Sequence, residues 1–264
     1  MDEKIQHLKE TLAALESVAV AFSGGVDSAF LLAVAHETLG KRAIAITANT
    51  VLTPASEDAA AAAFCAERGI RQLTFAENQL ESIPGFADNP RERCYICKRA
   101  LFERIRTLAS ENGAAHVADG TNADDLGMHR PGSVALAELG VVNPLADCGF
   151  TKADIRAASR AMGLPTWDKP SMACLASRFE YGARITEEAL ARVEAVEAAL
   201  FSMGFSQGRA RVHGDVVRFE VPAAEIVHAL DADMRERLVA AAKANGFKYA
   251  TLDLQGFRIG SMDE

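Results

Sequence analysis

No apolar run in the sequence approaches the roughly 20 residues needed to cross a bilayer, and the chain opens on the charged stretch Met1-Asp-Glu-Lys-Ile-Gln-His-Leu-Lys-Glu10. Neither a membrane span nor a signal peptide is expected, and the setting is read as cytoplasmic. An excess of basic residues is also missing: 28 Lys and Arg stand against 36 Asp and Glu, for a formal net charge of -8. No global positive field draws such a chain onto a nucleic-acid backbone, so nucleic acid is not the expected partner, although a local basic patch stays open. Internal repeats and low-complexity segments are lacking, apart from the Ala-rich stretch Asp58 to Phe64, which reads as a packed helix. The five cysteines are an odd number in a chain without an export signal. That argues against a disulfide framework and for metal or sulfur chemistry.

What is present is a chain of 264 residues, 49% apolar, with enough to bury a sizeable core. Helical periodicity runs to about Glu16, and Ser17 to Phe22 then reads as a buried strand. Strands are expected again at Ala43–Ala48, Arg71–Phe75, Ala115–Gly120 and Gly140–Leu145, with helices between them. This alternation predicts an α/β fold with a parallel sheet covered on both faces and ligands at the strand carboxyl ends. Glu77 to Arg93 reads as a loop, and Leu164 to Arg184 as irregular. Beyond Thr186 an α-β-β-α-β run predicts a smaller C-terminal α+β domain, dividing the chain into residues 1–184 and 185–264.

The first strand empties into Ser23-Gly24-Gly25-Val26-Asp27-Ser28 and leaves as a helix. Such a junction aims backbone N–H groups and the positive helix end at one point, an anion site. Gly24 and Gly25 permit close backbone approach, and the Ser23 and Ser28 hydroxyls add donors. Asp27 fits beside a phosphate only if it holds Mg²⁺ or orients a donor. A tight turn with a Ser N-cap is the bland reading. The loop lacks the Lys of a Walker A motif, so γ-phosphate transfer is not the expected chemistry. Asp119-Gly120-Thr121-Asn122-Ala123-Asp124-Asp125 follows another strand and faces the same crevice. Asp124 and Asp125 are candidate Mg²⁺ ligands, against an Asx-turn with a helix N-cap.

Arg93-Cys94-Tyr95-Ile96-Cys97-Lys98 sets C-x-x-C at a helix start, where the dipole and neighbouring cations stabilise thiolates. Zinc, a redox pair and packed thiols all remain open, because no second C-x-x-C exists. Cys174 is the third candidate. Cys65 reads as packing, and Cys148 lacks a cationic context. His116, His129 and His213 have no metal-ligand spacing and read as structural. Arg209 and Arg211 alternate along a strand and so share a face, where they either grip a phosphate or lie solvated.

The Ser23–Ser28 string resembles the PP-loop of the N-type ATP pyrophosphatases, the adenine nucleotide alpha hydrolase-like enzymes that attack the α-phosphate and release pyrophosphate. That resemblance implies ATP and Mg²⁺ as cofactors, with Gly120 and Thr121 at the pyrophosphate and Thr47 and Ala48 flanking the adenine. Six stretches in order, the Ser23 loop, Arg93–Lys98, the Asp119 turn, Ala173–Arg178, Gly208-Arg-Ala-Arg211 and Gly256–Ser261, make the chain similar to the LarE family along essentially its whole length. Members thiolate the two carboxylates of pyridinium-3,5-biscarboxylic acid mononucleotide for the nickel-pincer cofactor of lactate racemase, and assemble as hexamers. The resemblance implies adenylation of each carboxylate and displacement of AMP by sulfur. It also implies an acceptor-phosphate set of Lys98, Ser177, Arg178, Glu197, Arg209 and Arg211. One branch of the family sacrifices the sulfur of a single cysteine, at the position of Ala173 here. This chain instead resembles the three-cysteine branch, in which Cys94, Cys97 and Cys174 ligate a 4Fe-4S cluster that carries an added sulfide. A sacrificial Cys174 is the alternative sulfur source. A tRNA thiolase or an amide ligase like NAD synthetase is the nearest competing enzyme. A non-catalytic adenine-nucleotide sensor of the universal-stress type is the competing binder, and it needs neither Asp124 nor the cysteines.

Overall fold

In a computed structural model, residues 1–126, 131–170, 173–258 and 260–262 are described, Ala55 without its side chain. His129, Ser171, Met172 and Ile259 lie outside the described residues. The chain forms two compact units, Met1–Asn78 with Glu92–Met172, and Gln79–Arg91 with Ala173–Glu264.

In the first unit, side-chain alternation along each strand feeds two cores. On β1 (Val18–Ala21), Val18 and Val20 enter one core and Ala19 the other. On β2 (Ala43–Thr50), Ala43 and Ala45 go to the first core, and Ile44 and Ile46 to the second. With β3 (Gln72–Glu77) and β4 (His116–Ala118) they form a four-stranded sheet, ordered β3-β2-β1-β4 and parallel throughout. Both faces are covered, as such a sheet requires.

The first face carries α1 (Asp2–Ala14), α2 (Val26–Leu39), α3 (Ala55–Glu67) and α8 (Lys152–Ala161), through Leu8, Leu12, Phe30, Phe64 and Ile155. Helix α2 is apolar almost all round, because α1 and α8 pack on the sides turned away from the sheet. The second face carries α5 (Arg93–Glu111) and α6 (Pro131–Glu138), through Phe102, Ile105 and Leu136. Burial of each such Leu or Phe contributes about 1.5–3 kcal/mol.

The strand expected at Gly140–Leu145 reduces to a single bridge between Ala118 and Val142. Pro144 opens the short helix α7 (Pro144–Asp147), and a residue without an N–H starts a helix more readily than it extends a ladder.

The second unit has a three-stranded sheet, ordered β5-β6-β7. Strands β5 (Arg209–His213) and β6 (Val216–Glu220) form an antiparallel hairpin turned by Gly214 at φ +61. Strand β7 (Tyr249–Leu252) is parallel to β6 and is reached through α10 (Ile226–Ala229) and α11 (Ala232–Ala244). Thr186 caps α9 (Glu187–Ser202), its hydroxyl accepting from the Ala189 N–H at 3.1 Å.

Gln79–Arg91, read from sequence as a loop, contains the one-turn α4 (Gln79–Ser82) and a tight turn at Phe86–Asp88. It belongs to the second unit. Asn89 is fully buried with φ +51, and its amide donates to the carbonyls of Phe179 and Glu180 at 3.3 and 2.7 Å. The carbonyls of Asn89 and Ala87 accept from the N–H groups of Gly182 and Ile185. These bonds hold Phe179–Ile185 with the second unit, so the compact division falls at 172/173, ahead of the 184/185 expected from sequence. No helix among the described residues is long and apolar enough to cross a membrane.

Candidate active site

The order β3-β2-β1-β4 reverses chain direction across the sheet between β1 and β4, the switch point where the loops after parallel strands open a crevice. Ser23–Ser28 follows β1, and Asp119–Asp125 follows β4. The contact is close: a Cβ on Gly120 would sit 2.9 Å from the Ser28 backbone nitrogen and 3.3 Å from the Asp27 carbonyl carbon. Glycine at 120 is therefore required by approach, whereas Gly24 is required by its φ of +71.

Helix α2 starts from Gly25 with no side-chain cap, which rules out the Ser N-cap reading. The first amides of the helix have no partner within it. The Ser23 and Ser28 hydroxyls lie 3.2 Å apart, and Ser28 Oγ donates to the Gly25 carbonyl at 3.3 Å. Asp27 is half-buried. Its Oδ2 meets the Lys152 ammonium at 2.5 Å, while its Oδ1 is buried without a hydrogen-bond partner.

The second loop is braced locally. Asp119 Oδ1 accepts from the Thr121 N–H at 2.9 Å and from the Thr121 hydroxyl, and its Oδ2 pairs with Lys98 Nζ at 3.1 Å. Burial alone would raise the Asp119 carboxyl, but Lys98 and the Thr121 hydrogen bonds outweigh it and hold the group below its ordinary value. Asn122 and Asp125 form a capping box, and Asp124 Oδ2 accepts from the Lys152 N–H at 2.7 Å. Asp124 and Asp125 thus carry the Asx-turn and cap contacts that were the alternative to metal ligation. Lys152 touches both loops, through its ammonium and its amide. Lys169 adds a second cation, donating to the Gly24 carbonyl at 3.0 Å and pairing with Glu57 at 2.6 Å.

Thr47 is buried, donating to the Phe22 carbonyl at 2.9 Å and accepting from Gln72 at 2.8 Å. Its hydroxyl ties β2 to the end of β1, and half-buried Ala48 packs against the second core. Lys98, grouped from sequence with the acceptor-phosphate arginines, pairs with Asp119 at 3.1 Å.

Cys94 is exposed and Cys97 half-buried, three residues apart in the first turn of α5 and so on one side of it. Cys174 is exposed in the second unit, where its carbonyl accepts from the Ser177 hydroxyl at 2.8 Å and from Arg178 at 3.0 Å. Among the described residues no group of three His, Cys, Asp or Glu converges to hold a metal ion. Burial raises the Cys65 thiol to about 11 despite Arg68, and raises Cys148 despite its contact with Thr11, as befits packed, unreactive thiols.

Arg178, Arg209 and Arg211 of the second unit are buried rather than solvated. Arg178 is fully buried and meets Glu197 through two bonds of 2.8 Å. Arg211 pairs with Glu220 at 2.9 Å and donates to the Ser177 carbonyl at 2.9 Å. Arg209 donates to the Gly208 carbonyl and lies over the Phe257 ring. Burial, then the like charge of Arg178, lower Arg209 to about 10. Ser177, Arg178, Glu197, Arg209 and Arg211 therefore belong to one polar core.

Sequence reasoning missed Lys152, Lys169 and Glu57 in the first unit and Glu220 in the second. The capping-box string Thr151-Lys-Ala-Asp154 marks where Lys152 sits. Glu220 shares with Arg218 a strand face that by alternation reads as polar and gives no sign of its burial.

A parallel sheet in this order, with the glycine-bearing loop after β1 at its switch point, is the fold of the PP-loop ATP pyrophosphatases. No family model matches the chain. It is 38% identical over its whole length to an uncharacterized protein of Synechocystis sp., of which it covers 98%. It is 36% identical over 95% of its length to the pyridinium-3,5-bisthiocarboxylic acid mononucleotide synthase of Lactiplantibacillus plantarum, covering 90% of that protein. The chain belongs to the LarE family of that synthase. A glutamine-hydrolyzing GMP synthase chain of Pyrococcus furiosus is 28% identical over 62% of the present chain and 55% of its own length.

Proposed function

We propose that this enzyme uses ATP to convert the carboxylates of pyridinium-3,5-biscarboxylic acid mononucleotide into thiocarboxylates. The observation that carries the reading is the contact of Gly120 with the Asp27–Ser28 backbone, which joins a loop of anion-binding composition to an acidic turn suited to Mg²⁺ in a family member. A carboxylate oxygen of the acceptor attacks the α-phosphorus of ATP. The new O–P bond forms as the α–β bridge breaks, and pyrophosphate leaves with the electron pair. A sulfur nucleophile then attacks the acyl carbon, and AMP departs with the C–O pair.

In this reading Ser23, Gly24, Gly25, Ser28, Gly120 and Thr121 hold the leaving pyrophosphate, and Lys152 and Lys169 supply the cations that the loop itself lacks. Thr47 and Ala48 flank the adenine. Asp27, with its unpartnered Oδ1, and Asp124 and Asp125 suit Mg²⁺, which supplies charge neutralisation on the phosphates. Ser177, Arg178, Arg209 and Arg211 grip the acceptor phosphate, with Glu197 orienting Arg178, while Lys98 acts through Asp119.

For the sulfur, exposed thiols at Cys94, Cys97 and Cys174 fit the donor set of a 4Fe-4S cluster with one open iron, which would supply a bound sulfide. The family resemblance further supports a cytoplasmic homo-oligomer, with the first unit serving ATP and the second the acceptor.

Two measurements test this. ATP, Mg²⁺, the mononucleotide and sulfide should give pyrophosphate and AMP in equal amounts, and no release under those conditions overturns the reading. Anaerobic reconstitution should give about four irons per chain, lost on any one of the three Cys→Ala changes, with the protein keeping its mass through repeated turnover. Iron-free protein that loses one H₂S per chain assigns the sulfur to Cys174 instead.

A further inference from the structure

The Gly256–Ser261 stretch is absorbed by neither the ATP loops nor the arginine set, yet its residues Gly256, Phe257 and Ser261 pack against β6 and the arginines. Asp253 N–H donates to the Phe219 carbonyl and Phe257 N–H to the Val221 carbonyl, both at 2.8 Å. A Cβ on Gly256 would meet the Val221 oxygen at 2.9 Å, so the segment lies flat against the end of β6. Phe257 lies under Arg209. The hydroxyl of Ser261, itself buried, donates to Glu220 Oε1 at 2.6 Å.

Glu220 has no exposed surface and divides its two oxygens. Oε1 takes Ser261 and Arg218, the latter at 3.1 Å, while Oε2 takes Arg211 at 3.0 Å through Nε and 2.9 Å through Nη2. A carboxylate pinned on one oxygen cannot rotate, so its second oxygen fixes the guanidinium plane of Arg211. The bonds to Glu220 and Ser177 use three of the five N–H donors of Arg211.

We infer that Glu220 and Ser261 are positioning residues that aim Arg211 at a phosphomonoester, making the C-terminal stretch part of the acceptor site. The inference rests on the proposed role of the arginines in gripping the acceptor phosphate, and it adds that the aim is set from behind by the C-terminal stretch. Removing the Ser261 hydroxyl leaves Glu220 Oε1 with Arg218 alone, at the longer 3.1 Å, and loosens the orientation of Arg211 without removing any charge.

The test is calorimetric binding to the full-length protein of two probes, pyridinium-3,5-biscarboxylic acid mononucleotide and the same nucleoside without its phosphate. Ser261→Ala should raise the Kd of the mononucleotide about tenfold, leave the nucleoside unchanged, and be rescued by Ser261→Thr. Glu220→Gln should act in the same direction and more strongly. A general loosening of the unit would weaken both probes equally, and that result, or no change for either, overturns the inference. Arg211→Ala separates the two claims. Weakened mononucleotide binding in Arg211→Ala beside an unaffected Ser261→Ala sinks the positioning role alone, whereas unaffected binding in Arg211→Ala sinks the phosphate grip and the positioning role together.

Discussion

The two units hold charge in opposite ways. In the first, carboxylates on or beside the switch-point loops are met by lysines, Asp27 by Lys152, Asp119 by Lys98 and Glu57 by Lys169, and of the three only Asp119 is buried. A lysine is a compact charge on a flexible stem, and it gives up one partner for another at little cost. In the second, Arg178 and Arg211, at 0 and 5% exposure, meet Glu197 and Glu220, which are themselves buried, in rigid two-bond geometry. Such pairs resist rearrangement, because each partner alone would be an uncompensated buried charge. The first arrangement suits a site whose ligands arrive and leave as polyanions. The second suits a fixed template.

The largest effect that would break this contrast lies in the second unit. Arg178→Ala should cost about 3–5 kcal/mol by leaving Glu197 buried and unpaired, and urea unfolding would read it. A loss below about 1 kcal/mol, the range of exposed pairs, would place the pair on the surface in solution. Next is Gly120→Ala, where the new methyl meets the Asp27–Ser28 backbone and Asp27 Cβ, none of them the end of a flexible side chain. Pyrophosphate release should fall by on the order of a thousandfold, as for removal of a strong transition-state contact, while circular dichroism stays native. Unchanged turnover would separate the two loops.

Asp27→Asn should reduce pyrophosphate release by on the order of a hundredfold yet change the melting temperature little, because the carboxylate already has an oxygen without a partner. A large drop in melting temperature would make Asp27 structural and erase the distinction. The smallest effect concerns pH. The folded Asp119 carboxyl lies below its ordinary value, so the folded state binds fewer protons than the unfolded state between the two values. Its stabilisation is complete above an unfolded pKa of about 3.9 and is lost as pH falls through the lower folded value. Acid unfolding of Asp119→Asn should therefore show a shallower slope in that window, and an identical slope would remove Asp119 from the set of tuned groups.

Much of the first unit was legible because periodicity is a local signal. Val18–Ala21 and Ala43–Thr50 bury both faces, and the loops after β1 and β4 announce themselves by Gly, Ser and Asp. The short helix at Pro144 was not read, since the apolar pattern of Val141 and Val142 outweighed one proline in the reading. Lys152 and Lys169 were invisible as site residues because their partners, Asp27, Gly24 and Glu57, are more than a hundred residues away in sequence. In the second unit, Arg209 and Arg211 were found by alternation, but their burial was not. An alternating strand does not say what covers its polar face, and here Glu220 and the C-terminal stretch do.

The participation of Gln79–Arg91 in the second unit has a temporal consequence. The ribosome delivers Asn89 about ninety residues before Gly182, the N–H of which its carbonyl accepts. At about 5–20 residues per second, the segment waits roughly 5–20 seconds for the carbonyls and amides that will satisfy it. Throughout that interval Phe86, destined for full burial, has no core to enter. Birth of the chain thus passes through a stage in which the first unit can close while a hydrophobic strap remains in water. A holdase that binds short apolar segments would have its target here, and a pulse-labelled nascent chain stalled near residue 172 would expose it.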